Sequence, residues 1–173
     1  MDTSIVSEHL ENPRTKAGVR FMINKKLIDP EEIKTYELIP GRAMVLEIKW
    51  LKTNTVSILN IYTPNERSAH AHYWADNIIK RCMLHIKTPD IVLGDFNITE
   101  DAIDRMPPKL DNEKVIDALR ETKQDWDLVD IWRKANPTKK AFMYRAQTHS
   151  GCIQARLDRI YVNKCYSQTT MSD

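Results

Sequence analysis

Ile91-Val92-Leu93-Gly94-Asp95-Phe96-Asn97 is the stretch on which the reading of this 173-residue chain turns. With Asp90 ahead of it, Ile91-Val92-Leu93 is a short, nearly continuous apolar run, the pattern of a strand buried on both faces. Gly94 lets the backbone turn tightly where that strand ends. Asp95 then emerges where buried strand meets solvent, and Asn97 follows two residues later on the same side. Taken alone, Gly-Asp-x-Asn also suits an ordinary Asp/Asn turn.

Working outward, the sequence predicts further strands and helices around this one. Ala17, Val19, Phe21 and Ile23 alternate over 17–24, the period of a strand. Asp29-Pro30 marks a turn. Met44, Leu46, Ile48 and Trp50 share one face of 42–51, and 54–62 follows after Lys52-Thr53-Asn54, so the two segments read as an antiparallel hairpin. Trp74, Ile78, Ile79, Cys82, Met83 and Ile86 lie at helical spacing over 66–87, with Pro89 as the stop. Beyond the central strand, a helix is expected from Asn112 with Asp111 as its N-cap. A shorter helix is expected over 128–135 between Asp127 and Pro137. Strands are expected over 141–145 and 155–162. Residues 1–16 carry no periodic signal. The order of elements suits two packed sheets with helices outside, or a mixed α/β sheet.

The composition is that of a globular domain, with 42% hydrophobic and 29% charged residues. Twenty-six Lys and Arg against 24 Asp and Glu leave a net charge of +2, so only a local patch could attract a phosphate backbone. Cys82, Cys152 and Cys165 are odd in number and lack metal-ligand spacing, which argues against a disulfide scaffold or a zinc ribbon. No apolar run reaches the length of a membrane span, and the first residues lack the apolar core of a signal peptide. An intracellular location, nuclear or cytoplasmic, is therefore expected, with no membrane and no obligate protein partner. His70 and His72 diverge on a helix and read as a solvated helix start. His149 reads as a loop residue, and the four tryptophans fall at core-like spacings.

Four segments place chemically capable side chains at strand ends: 60–65, 94–97, 142–144 and 156–159. Hydrolysis of a phosphodiester needs a cation for the phosphorus oxygens, a group that holds or activates water, and donors for developing negative charge. Asp supplies hard oxygen for Mg²⁺ or a base for water. Asn supplies an uncharged donor and acceptor, and Tyr a phenolic donor.

Leu59-Asn60-Ile61-Tyr62-Thr63-Pro64-Asn65, the central 91–97 stretch and Arg156-Leu157-Asp158-Arg159-Ile160 together resemble three successive motifs of the endonuclease/exonuclease/phosphatase superfamily, in its order. The wording is most similar to the apurinic-endonuclease-like nuclease of non-LTR (LINE-type) retrotransposons, from about Ala17 to Val162. The resemblance implies a four-layer α/β/β/α sandwich and cleavage of DNA dependent on Mg²⁺ or Mn²⁺. It implies that Tyr62 contacts the scissile phosphate and that Asp95 activates or positions water and holds metal. It further implies that Asn97 contacts phosphate and orients Asp95, and that Asp158 orients a catalytic histidine. Asn65 and Arg156 would touch nucleic-acid backbone. The alternative for Arg156 and Arg159 is solvated strand-end charge.

The same resemblance implies incompleteness at both ends. Nothing before Ala17 matches the family's opening asparagine strand or its metal-binding glutamate, and no Ser-Asp-His closes the chain. The expected division is an ill-determined segment over 1–16 and a partial domain over 17–173 with impaired activity. Other superfamily phosphoesterases (a phosphatase or a ribonuclease) and a non-catalytic remnant of a mobile element are the competing functions. Phe96 and Arg156-Leu157 favour the nuclease.

Overall fold

The computed structural model describes residues 3–6, 18–24, 26–50, 54–66, 69–70, 73–74, 88–149 and 151–167. The first strands are β1 (Thr3–Val6) and β2 (Phe21–Asn24), and β3 (Lys34–Ile39), β4 (Ala43–Trp50) and β5 (Asn54–Tyr62) follow. The central strand β6 (Ile91–Asp95) leads through a long loop to β7 (Arg105–Met106) and helix α1 (Glu113–Asp125). Then come β8 (Leu128–Asp130), α2 (Ile131–Ala135), the hairpin β9 (Tyr144–Thr148) and β10 (Gly151–Ala155), β11 (Asp158–Asn163) and α3 (Lys164–Ser167).

Six strands form the main sheet in the order β3-β4-β5-β6-β11-β8. β5 and β6 run parallel, while the other pairings are antiparallel. Strand alternation gives this sheet two working faces. On one face Val45, Leu59, Ile61, Val92, Phe96 and Tyr161 pack with Val115 and Leu119 of α1 and with Tyr73 and Trp74. On the other, Leu46 and Ile48 pack with Ile23 of β2. Helix, six-stranded sheet and the β1-β2 sheet thus lie in layers, the mixed α/β arrangement expected from the sequence. β4 is buried along both faces from Ala43 to Leu46, as a strand between two layers must be.

Several local expectations need correcting. Thr3–Val6 is a strand paired with β2, although residues 1–16 carry no periodic signal. β3 was not foreseen from the sequence. Trp50 is 54% exposed, at the end of the β4-β5 pairing with Asn54. Asn112, and not Asp111, caps α1, its side chain accepting from Lys114 N. Residues 128–130 extend the main sheet as β8 instead of opening a helix, and Asp130 caps α2 by accepting from Arg133 N. The strand expected at 141–145 begins at Tyr144, and the strand expected at 155–162 is divided by Arg156 and Leu157 between β10 and β11. The helix expected over 66–87 lies largely outside the described residues. No helix among the described residues is long and apolar enough to cross a membrane.

Candidate active site

The main sheet brings three sequence-predicted residues into one row. Tyr62 on β5 pairs in register with Asp95 on β6, and Asp95 pairs directly with Asp158 on β11. Residues opposite one another on adjacent strands project to the same face. Their neighbours Ile61, Thr63, Phe96 and Arg159 are all buried on the helix side. Tyr62, Asp95 and Asp158 therefore rise together from the opposite face, at the strand ends.

Gly94 allows this row to form. Its φ is +132°, and a Cβ there would lie 2.0 Å from the Ile61 carbonyl oxygen. Only glycine lets β6 approach β5 this closely and still turn. Beneath the row, the Phe96 ring stacks on Trp74 with centroids 5.5 Å apart and meets Tyr161 edge-on at 5.0 Å.

Asn97 adopts φ 49°, a left-handed conformation that Asn tolerates better than most residues. Its backbone N–H donates to Asp95 Oδ1 at 2.9 Å, and its Nδ2 donates to the Thr63 carbonyl at 2.8 Å. The turn that a bare Gly-Asp-x-Asn suggests is thus present, and it fixes one oxygen of Asp95. Thr63 N–H donates to the Asp95 carbonyl and Phe96 N–H to the Leu157 carbonyl, both at 3.0 Å. These bonds lace the segments carrying Tyr62, Asp95, Asn97 and Asp158 into one unit.

Two carboxylates directly opposite on paired strands repel one another. Partial burial and the neighbouring charge of Asp95 hold the Asp158 carboxyl above its ordinary range, against the smaller opposing influence of its own backbone N–H and of Arg159. No side chain among the described residues bonds the Asp158 carboxylate. A pair of carboxylates kept together at such a disadvantage gains by taking up a cation or a proton.

Other residues were placed differently from expectation. Arg156 is 5% exposed. Its Nε and Nη2 grip the two oxygens of Asp104 at 2.9 and 3.0 Å, and Nη2 also reaches Asp130 at 2.6 Å. That commits the guanidinium to an internal ion-pair cluster, which corrects both the expected backbone contact and the solvated alternative. Arg159 is 3% exposed, and its Nη2 donates to the carbonyls of Ile98 at 2.7 Å and Arg156 at 3.3 Å. It braces the Asn97 loop against the turn into β11. Asn65 is exposed and borders a small polar cavity of about 170 Å³ with His70, Asn97, Arg105, Asp111 and Asn112. His70 is buried, not solvated, with its ring against the Pro64 carbonyl. Arg42, unremarked in the sequence, stacks its guanidinium 5.3 Å from the centre of the Tyr62 ring. An Arg preceding a strand carries no local signal for a contact 20 residues away.

The donor set suits a hard cation. Mg²⁺ uses one or two carboxylates and retains water, whereas zinc sites need three or four protein ligands. Asp95 and Asp158 supply the former. No group of three His, Cys, Asp or Glu that could hold an ion occurs among the described residues.

A mixed sheet flanked by a helix and a second sheet, with Tyr, Asp and Asp aligned at its strand ends, defines a phosphoesterase-type sandwich. The model of the Endonuclease/Exonuclease/phosphatase family matches residues 5–172, and the chain belongs to that family of nucleases and phosphatases. The chain is 34% identical over 152 residues to the transposon TX1 uncharacterized 149 kDa protein of Xenopus laevis, covering 86% of this chain and 11% of that protein. Among solved structures, the endonuclease domain of TRAS1, a telomere-specific non-LTR retrotransposon, aligns with a TM-score of 0.62 at 13% identity, over 94% of this chain and 68% of that one. The AP endonuclease LMAP from Leishmania major aligns with a TM-score of 0.66 at 16% identity, over 96% and 63%. The chain thus spans about a tenth of the curated relative and about two thirds of each of these structures.

Proposed function

We propose that this chain forms part of a metal-dependent nuclease domain, over residues 17–173 at least, that hydrolyses phosphodiester bonds of DNA and nicks target DNA for a mobile element. The observation that carries this reading is the direct pairing of Asp95 with Asp158, flanked in the same row by Tyr62. The likeness to transposon and retrotransposon proteins supports the choice of DNA and of a mobile element.

The residues divide the work by their chemistry. Asp95, with one oxygen pinned by Asn97 N–H, presents its other oxygen to a water and receives the proton as the water oxygen bonds to phosphorus and an ester P–O bond breaks. Tyr62 donates its phenolic hydrogen to a phosphate oxygen. Asn97, with one Nδ2 hydrogen engaged on Thr63, offers the second to the same group. The departing oxygen leaves as an alkoxide that takes its proton from solvent water, and Asp158 lies beside this chemistry, directly opposite Asp95. Mg²⁺ or Mn²⁺, held by Asp95 with Asp158, would offset charge on the phosphate oxygens.

Supercoiled plasmid incubated with purified chain and Mg²⁺ tests the reading. Slow nicking, in keeping with the impaired activity expected of a partial domain, that stops with EDTA and falls at least about 10²-fold in Asp95→Ala, as loss of a positioned general base does, is the expected result. Nicking at equal rate in Asp95→Ala, or none by the parent chain at any metal concentration, overturns it.

A further inference from the structure

From Ile131 to Leu157 the sequence holds six basic residues, Arg133, Lys134, Lys139, Lys140, Arg145 and Arg156, and no Asp or Glu. In a chain nearly balanced in charge, the excess of base is concentrated here. Arg133 and Arg156 turn inward to carboxylates. Lys134, Lys139, Lys140 and Arg145 are exposed, and none of the four pairs with a carboxylate among the described residues. Elsewhere, exposed cations such as Lys49, Arg120 and Lys164 do form such pairs. Met143 at 70% and Tyr144 at 47% exposure lie between Lys140 and Arg145. Unpaired cations interleaved with exposed apolar and aromatic side chains are the surface chemistry of nucleic-acid binding.

The loop that carries these lysines is ordered in advance. Arg133 ties it down: Nη1 donates to the carbonyls of Asn136 at 2.9 Å, Pro137 at 3.4 Å and Lys139 at 2.9 Å, while Nη2 donates to Asp104. With the carbonyls drawn inward, the lysine side chains are left to solvent. Lys134 and Met143 border the same concavity, about 690 Å³, as Asp158. The basic surface therefore begins at the rim of the candidate active site.

We propose that α2, the loop over 136–143 and the start of β9 form a strip that binds the phosphate backbone of duplex DNA beyond the bond being cleaved. The choice of DNA rests on the nuclease reading, but the strip's binding does not require hydrolysis. Each phosphate neutralised releases counterions, so binding through the strip weakens steeply with salt.

The test measures affinity for a labelled DNA duplex in EDTA across a salt series, in the Asp95→Ala chain, so that cleavage plays no part. Lys134, Lys139 and Lys140 are changed together to Gln, and Lys26, Lys34 and Lys114 serve as a control triple. Melting curves verify that both remain folded. The strip variant is expected to lose about 2–3 from the magnitude of the log–log salt slope, and roughly tenfold or more in affinity at low salt, while the control triple keeps both. An unchanged slope, an equal loss in the control, a loss seen only with an RNA duplex, or no binding by the Asp95→Ala chain overturns the proposal. Strip-dependent binding beside a parent chain that never nicks upholds it and leaves only the hydrolysis reading to fail.

Discussion

A carboxylate pair shows what single residues sacrifice for a site. Asp158 sits directly opposite Asp95, and burial together with that neighbour raises its carboxyl above the ordinary range. A raised carboxyl stabilises the fold only while protonated, so its contribution is present at low pH and is lost as pH rises through the shifted value. Asp158→Asn is accordingly expected to melt higher than the parent at neutral pH, with the gain vanishing in acid, and to lose nicking. A calorimetric series over pH checks this, and a lower melting temperature at pH 7 would refute it. Gly94 lies at the other extreme of tolerance. Its positive φ and its 2.0 Å approach to the Ile61 carbonyl predict that Gly94→Ala loses more than about 2 kcal/mol, from strain and overpacking together.

At the scale of elements, the start of α1 distinguishes two residues that local pattern treats alike. Asp and Asn are equally good N-caps. Asn112 takes the cap, while Asp111 accepts from Thr99 N at 2.7 Å, Thr99 Oγ1 at 3.0 Å and Arg105 Nη2 at 2.8 Å. Asp111 thereby staples the loop after Asn97 to the helix entrance. Urea denaturation is expected to show a loss of about 1 kcal/mol for Asn112→Ala. A larger loss, about 2–3 kcal/mol, is expected for Asp111→Ala, which strips a charged partner from the largely buried Arg105. Equal losses would place the staple at the surface energetically.

Across the whole molecule, a buried network joins the site to its surroundings. Asp104 is 1% exposed and bonds both Arg156 and Arg133. Glu100 bonds Lys123 at 2.6 Å and accepts from Tyr161. Burial by itself would raise both carboxyls. The hydrogen bonds and charges of Arg156, Arg159 and Arg133 around Asp104, and of Arg159 and Lys123 around Glu100, outweigh it and hold both below the usual range. Stability from these groups is present at neutral pH and is lost as pH falls through the lowered values. Asp104→Ala is expected to cost about 3–5 kcal/mol, since it leaves buried guanidinium charge without its partner. It should also flatten the acid limb of the stability curve, measured by urea denaturation between neutral and acidic pH.

The sequence by itself determined the central strand at 91–95, the hairpin of 43–50 and 54–62, the family, and the position of Tyr62, Asp95 and Asp158 each at a strand end. These follow from local alternation and from short motifs whose residues lie close along the chain. Only the tertiary structure decided which chemistry each polar residue serves. Arg156 and Arg159 occupy strand-end positions that look solvated in sequence, yet Asp104, 52 residues from Arg156, and the Ile98 carbonyl, 61 residues from Arg159, draw them inside. Arg42 reaches Tyr62, and Asp158 meets Asp95, for the same reason. Strand order and register join residues far apart in the chain, and a buried charge goes where its partners are, which no local pattern records.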